Sequence, residues 1–134
     1  MKSFSIELAF ASIGTAFIYL VGGIDVALQC LLIAIALDYI SGLIKAYVTK
    51  ELSSKIGFKG ILKKVGILLI VMLGVLIDRV GGDTGAIRTL VIYYFVANEG
   101  LSIIENLAQA GLPIPKAIKN ALKALKEQSN GKDK

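Results

Sequence analysis

Four apolar runs, each long enough to cross a bilayer as a helix, fill most of this chain, and its lysines gather in only two of the gaps beside them. About 20 apolar residues are needed to span the hydrocarbon core. The expected fold is therefore all-α, an integral membrane protein with four transmembrane helices and a C-terminal amphipathic basic helix. The spans are predicted at about residues 4–21, 26–48, 62–80 and 87–107, making residues 1–112 a transmembrane domain and 113–134 a cytoplasmic amphipathic basic tail. Gly22-Gly23-Ile24-Asp25 reads as a tight turn between antiparallel helices, and Gly81-Gly82-Asp83 precedes the fourth span.

The lysine distribution orients the spans. Lys50, Lys55, Lys59, Lys63 and Lys64 lie between spans two and three, and Lys116, Lys119, Lys123, Lys126, Lys132 and Lys134 follow span four. Both groups belong inside by the positive-inside rule, which puts both termini in the cytoplasm. A net charge of +5 would ordinarily raise nucleic acid as a partner, but here the lysines are mostly juxtamembrane, so anionic lipid is expected and nucleic acid is not. With no histidine and a single cysteine, Cys30, the chain has no internal disulfide and no ligand set for the usual zinc, haem or His-based catalytic sites. No catalytic residue, metal or cofactor is expected, and the protein does not read as an enzyme. Lys2 and its apolar run could pass for a signal peptide. The match Ala9-Phe10-Ala11 comes too early to follow a full h-region, so an uncleaved first span is expected.

After Gly111-Leu112-Pro113 the pattern changes. Ile114, Ile118, Ala121, Leu122 and Leu125 share one helical face, while Lys116, Lys119, Lys123 and Lys126 share the other. Such a helix can lie on an anionic membrane surface, pack on a partner subunit, or remain a solvated tail helix. Beyond Glu127 the tail is polar and expected to be disordered. Lys55, Lys59 and Lys63 oppose Phe58, Ile61, Leu62 and Val65 in the same way. They form either a short interfacial helix before span three or a set of lysines snorkelling from its end.

Charge inside the spans is rarer and more informative. Asp38 sits in the middle of span two and Glu99 at a similar depth in span four. A charged group there costs roughly 2.5–3.5 kcal/mol on insertion scales, so each acid should face other helices or water rather than lipid. Lys45, seven residues after Asp38, lies about 10.5 Å further along the axis, too far for a direct pair within the helix. No basic residue is expected at the depth of the acids, which leaves Tyr39, Ser41, Tyr93, Tyr94, Asn98 or water as companions. Asp38, Ser41, Gly42 and Lys45 form one stripe, and Glu99, Ser102, Asn106 and Gln109 another. Such stripes mean either helix association or a wet lumen. The expected pore or intersubunit polar positions are Asp38, Ser41, Lys45, Asn98, Glu99, Ser102 and Glu105. The expected lipid-surface positions are Lys55, Lys59, Lys63, Lys64, Lys116, Lys119, Lys123 and Lys126. Ser12 with Ala16, and Gly66 with Gly74, offer small faces for close helix approach, and Gly57-Phe58-Lys59-Gly60 matches a GXXG pattern without the sheet that would give it meaning in RNA binding.

The stretch Asp38-Tyr39-Ile40-Ser41-Gly42-Leu43-Ile44-Lys45-Ala46 resembles the toxin-secretion and phage-lysis holins, bacteriophage holin family 4. The resemblance continues through Leu52-Ser53-Ser54-Lys55-Ile56-Gly57-Phe58-Lys59-Gly60 and Ala97-Asn98-Glu99-Gly100-Leu101-Ser102-Ile103-Ile104-Glu105-Asn106. It closes with Gly111-Leu112-Pro113-Ile114-Pro115 and the lysine-rich helix, covering about residues 22–126. It implies a homo-oligomer in the bacterial cytoplasmic membrane, opening lesions that release a phage endolysin or a large toxin. No catalysis is implied. A small ion channel or proton-coupled membrane transporter using Asp38 and Glu99 is the alternative.

Overall fold

The computed structural model describes residues 1–130, and those residues form five helices. They are α1 (Lys2–Val21), α2 (Val26–Val48), α3 (Ser54–Val80), α4 (Ala86–Gln109) and α5 (Lys116–Asn130). The first four are long and apolar enough to cross a membrane. Each predicted span corresponds to one of them, with one difference of extent. Helix α3 begins at Ser54 rather than near residue 62, so the Lys55–Lys63 segment is a continuous part of it and not a separate interfacial helix. Its start is fixed by the Ser53 side chain, which accepts a hydrogen bond from the Ile56 N–H at 3.2 Å. No proline follows to interrupt the helix before Val80. Helix α5 also runs further than expected, taking in Gln128–Asn130. Lys132 and Lys134 lie outside the described residues.

Helices α2 and α4 run parallel and make the broadest contact, because the start of each meets the start of the other and Asp38 of α2 meets Asn106 of α4. Helix α3 packs antiparallel against both, α1 lies along α3, and α5 folds back on α4 alone. A core of Val21, Leu28, Leu31, Ile67, Val71 and Ile92 fills the space between the first four helices. Of the small faces expected from sequence, Gly74 brings α3 close to α4, since a Cβ there would meet the Arg88 Cα at 3.4 Å. Gly66 has no such neighbour, and Ser12 and Ala16 are exposed. Cys30 is a free, exposed thiol on α2. The two glycines of the GXXG match receive the ring of Tyr39, whose Cε2 would be 3.4 Å from a Cβ on Gly60 and whose hydroxyl would be 3.3 Å from one on Gly57. That spacing serves α2–α3 packing.

The end of the bundle away from the lysines is fastened by buried charge. Gly85 has no side chain to cap α4, and Asp78 from the last turn of α3 does so instead, accepting from the Ile87 N–H at 3.0 Å and the Arg88 N–H at 2.8 Å. Arg88 in turn donates through Nε to the Val21 carbonyl at 2.6 Å and through Nη2 to the Gly23 carbonyl at 2.9 Å. Its fork also grips the Asp25 carboxylate at 2.7 and 3.1 Å. Asp25 itself caps α2 through the Leu28 N–H at 3.0 Å. Gly22 is essential to this arrangement. Its φ of 79° is left-handed, and a Cβ would stand 2.9 Å from the Arg88 Nε. Nearby, Arg79 donates to the Tyr19 carbonyl at 2.6 Å and lies 3.9 Å over the Tyr19 ring, tying α3 to α1.

The hydrogen bond from Arg88 holds the Asp25 carboxyl below the usual carboxylate range, against the opposing effect of burial. A carboxyl with a lowered folded pKa stabilises the fold above its unfolded value, about 3.9, and loses that contribution as pH falls through the folded value. Arg88→Met should therefore destabilise the bundle by about 1–3 kcal/mol near neutral pH. The gap between parent and variant should narrow below about pH 4, as read by thermal unfolding in detergent. A gap independent of pH would remove Asp25 from the clamp.

Candidate functional site: a shared lysine between two buried acids

A second polar layer lies further along the bundle. Asp38 stands 12 residues beyond Val26, the first residue of α2, and Glu99 13 beyond Ala86, the first of α4, about 18–20 Å along their parallel helices. The parallel packing therefore brings the two acids to one level. Lys64 of antiparallel α3 enters between them and forms ion pairs with both Asp38 Oδ2 and Glu99 Oε2. The three side chains are only 16% (Lys64), 9% (Asp38) and 4% (Glu99) exposed. Asn106 completes the network, its Nδ2 donating to Asp38 Oδ1 and to the Ser41 Oγ, each at 3.1 Å. The Ser41 hydroxyl donates back to the Asp38 carbonyl at 2.9 Å. Among the described residues no buried side-chain nitrogen or oxygen lacks a partner.

Lys64 is the correction to the sequence reading. The sequence pattern places it with the lysines at the lipid surface and places no cation at the depth of the acids, whereas the structure sets it between them. In the sequence it directly follows Lys63 and looks like one more member of a surface cluster. A helix turns about 100° per residue, however, so adjacent lysines point in different directions, Lys64 inward between the acids and Lys63 toward solvent. The signal that could have found it was the apolar periodicity of α3, where Lys64 is in register with the buried Ile67, Val71, Gly74, Val75 and Asp78 at three- and four-residue steps.

The triad lies at the foot of a cavity of about 510 Å³ between α2, α3 and α4. Its lining reaches from Ile67 and Phe95 at the apolar core to Glu51 and Ile56 beside the α2–α3 connection. Of the expected polar positions, Asp38, Lys45, Asn98, Glu99 and Ser102 line this cavity, and Ser41 is bonded to its wall residue Asn106. Glu105 does not line it and is exposed on α4. Lys63 also lines the cavity, while Lys55, Lys59, Lys116, Lys119 and Lys123 are exposed. Lys126, the remaining lysine of that group, is partly buried on α5. Formally, two carboxyl groups around one ammonium leave one negative charge in excess, facing a cavity whose upper wall carries Lys45 and Lys63. The arrangement can hold charge and water at membrane depth. It contains no nucleophile–base pair, and no metal-ligating cluster occurs among the described residues.

A multi-pass helical bundle with paired charge inside and lysines at one end defines a membrane protein with charged groups buried between its spans. Sequence comparison identifies its kind, since residues 15–127 match the model of the bacteriophage holin family, and the chain belongs to that family. It is 35% identical over 123 residues to the "Probable holin" of Bacillus phage phi105, covering 92% of this chain and 90% of that one. It is 45% identical over 121 residues to the "Uncharacterized 14.9 kDa protein in nagH 3′ region" of Clostridium perfringens, covering 90% of this chain and 92% of the relative. YqxH of Bacillus subtilis is 37% identical over 138 residues, with 100% and 98% covered. No solved structure matches the chain significantly.

Removing one partner from a buried charge network strands the others, at a cost of about 3–5 kcal/mol. Lys64→Met should lose stability on that scale in detergent unfolding, while Lys59→Met, an exposed control, should not. Adding Asp38→Asn and Glu99→Gln to Lys64→Met should restore most of the loss, because neutral side chains of the same size need no ammonium. A Lys64→Met variant no less stable than the control would mean that the triad does not hold the helices together.

Proposed function

We propose that this protein is a holin in action as well as in family. It accumulates in the bacterial cytoplasmic membrane with both termini inside, oligomerises, and opens lesions that release a cell-wall hydrolase or a large toxin. The observation that carries the oligomeric part is the apolar core. Val21, Leu28, Leu31, Ile67, Val71 and Ile92 stand between the triad and the Arg88 clamp, so one copy has no continuous polar path along its axis. A protein-sized passage must then form between copies. The buried triad suits a subunit that waits in lipid with its charge hidden and turns that face toward water and other copies on assembly. Membrane lipid is the other partner, met by the exposed lysines at one end of the bundle.

The transport reading draws support from the cavity that ends at the triad, which has the form of half a pathway. The two readings part on cargo, because an ion-sized path or carrier passes no folded enzyme.

The orientation is tested with single cysteines in a Cys30→Ser background. Thr84→Cys should react with an impermeant thiol reagent on intact cells. Ser54→Cys and Gln128→Cys should react only after the membrane is opened, and labelling of either from outside would overturn the topology.

The role of the acids is tested by Asp38→Asn and Glu99→Gln, each singly. Either change leaves one ammonium facing one carboxyl, a neutral pair that favours the hidden state. Each variant should insert normally and delay release of a cytoplasmic reporter enzyme, on the order of twofold or more, with membrane potential followed in parallel. Onset and release equal to the parent in both would leave the acids as structural glue. Loss of potential without enzyme release in the parent would favour the transport reading.

A further inference from the structure

Helix α5 differs from the other helices in how it is held. It touches α4 alone, and its Leu122 sits in a notch left by Gly100. A Cβ on Gly100 would meet Leu122 Cδ2 at 3.1 Å, Cδ1 at 3.2 Å and Cγ at 3.8 Å, and those are its three nearest neighbours. The rest of the apolar face is half open, with Ile118 at 50% and Leu125 at 54% exposure. Residues 110–115, which include Pro113 and Pro115, join α5 to α4 without forming a helix. Six residues reach about 20 Å when extended, twice the 8–10 Å that separates packed helix axes.

We propose that α5 is an exchangeable element. The Leu122 knob that seats in Gly100 of its own chain seats in Gly100 of a second copy as copies assemble, so the basic helix links neighbours. The inference rests on the oligomeric reading above and names its contact. Exchange re-makes an existing apolar contact rather than requiring a new one, which is why swapping of such an element is a low-cost route to association. The connection is long enough to reach an adjacent subunit. With Lys116, Lys119 and Lys123 exposed on its far face, α5 needs cover for its apolar face alone, and the same notch on a neighbour supplies that cover in the same way. Ile118 and Leu125, open in a single copy, gain cover when two hairpins lie side by side.

The test uses two differently tagged full-length chains in a Cys30→Ser background, one with Gly100→Cys and the other with Leu122→Cys, expressed together and oxidised in the membrane before and after the onset of release. Neither chain can form an internal disulfide, so a mixed dimer carrying both tags reports exchange directly. The expected result is little mixed dimer early and abundant mixed dimer at onset, exceeding the dimer formed by either chain expressed alone. A Gly100→Cys/Leu122→Cys double variant should shift correspondingly from internal to intermolecular bonds. Gly100→Leu, which fills the notch, should insert to parental abundance but delay assembly. Internal bonds alone at every time, or loss of all cross-linking at onset as α5 leaves for the lipid surface, would overturn the proposal. The readout is a gel band that does not require cargo release. A mixed dimer without release would therefore count against the lesion reading and not against exchange.

Discussion

A charge inside a bilayer must find a partner, and in this protein the partner is Lys64. Its ammonium meets carboxyl groups from two helices that are far apart in sequence, so at this level one side chain joins α2, α3 and α4. Apolar packing alone specifies such register weakly, because lipid tails are as apolar as leucine and helices gain little by exchanging one for the other. A slip of one residue in α3 would turn Lys64 by about 100° and leave both acids unpaired at depth. Asn106 and Ser41 tighten the same point from the α2–α4 side.

The Arg88 clamp does comparable work at the other end with a different logic. There the charged groups satisfy helix ends as well as each other: Asp78 caps α4, Asp25 caps α2, and Arg88 takes up the carbonyls left over where α1 ends. Between clamp and triad the core is apolar. The bundle thus carries two polar layers with an apolar layer between them. The triad, beside a cavity, is the layer that can exchange its surroundings without unravelling helix ends.

Much of the fold was legible because hydropathy is a one-dimensional property. The number of spans, the Gly22 turn and the amphipathic face of α5 depend on nearest neighbours along the chain, and each appears where the sequence places it, whereas α3 starts earlier than its apolar run. Asp38 and Glu99 stood out because charge at that position in a span is costly. What adjacency concealed was Lys64. Beside Lys63 it reads as one of a pair, and only the phase of α3 separates a lysine that faces a cavity mouth from one that reaches between the acids. The Arg88 clamp was concealed for a related reason. Its residues lie in three different turns, each unremarkable alone, and the only local hint was that Gly22 needs both its φ and its missing side chain. Tyr39 resting on Gly57 and Gly60 belongs to the same class, a contact between helices that no single helix predicts.

Helix α1 shows where the constraint stops. Residues 1–13 are all exposed in the single copy, and packing begins with Phe17, strengthens through Tyr19 with Arg79, and is complete at Val21. The family match begins at residue 15, close to where α1 first meets its neighbours. The physical reason is that the last turns of α1 must supply the Val21 and Gly23 carbonyls and the left-handed Gly22 that Arg88 requires, whereas the first turns need only be apolar and helical. Many sequences meet the second condition and few meet the first. A membrane helix can therefore be part of the bundle at one end and little more than a lipid-facing rod at the other, and the boundary between the two is set by where its backbone first has to satisfy another helix's charge.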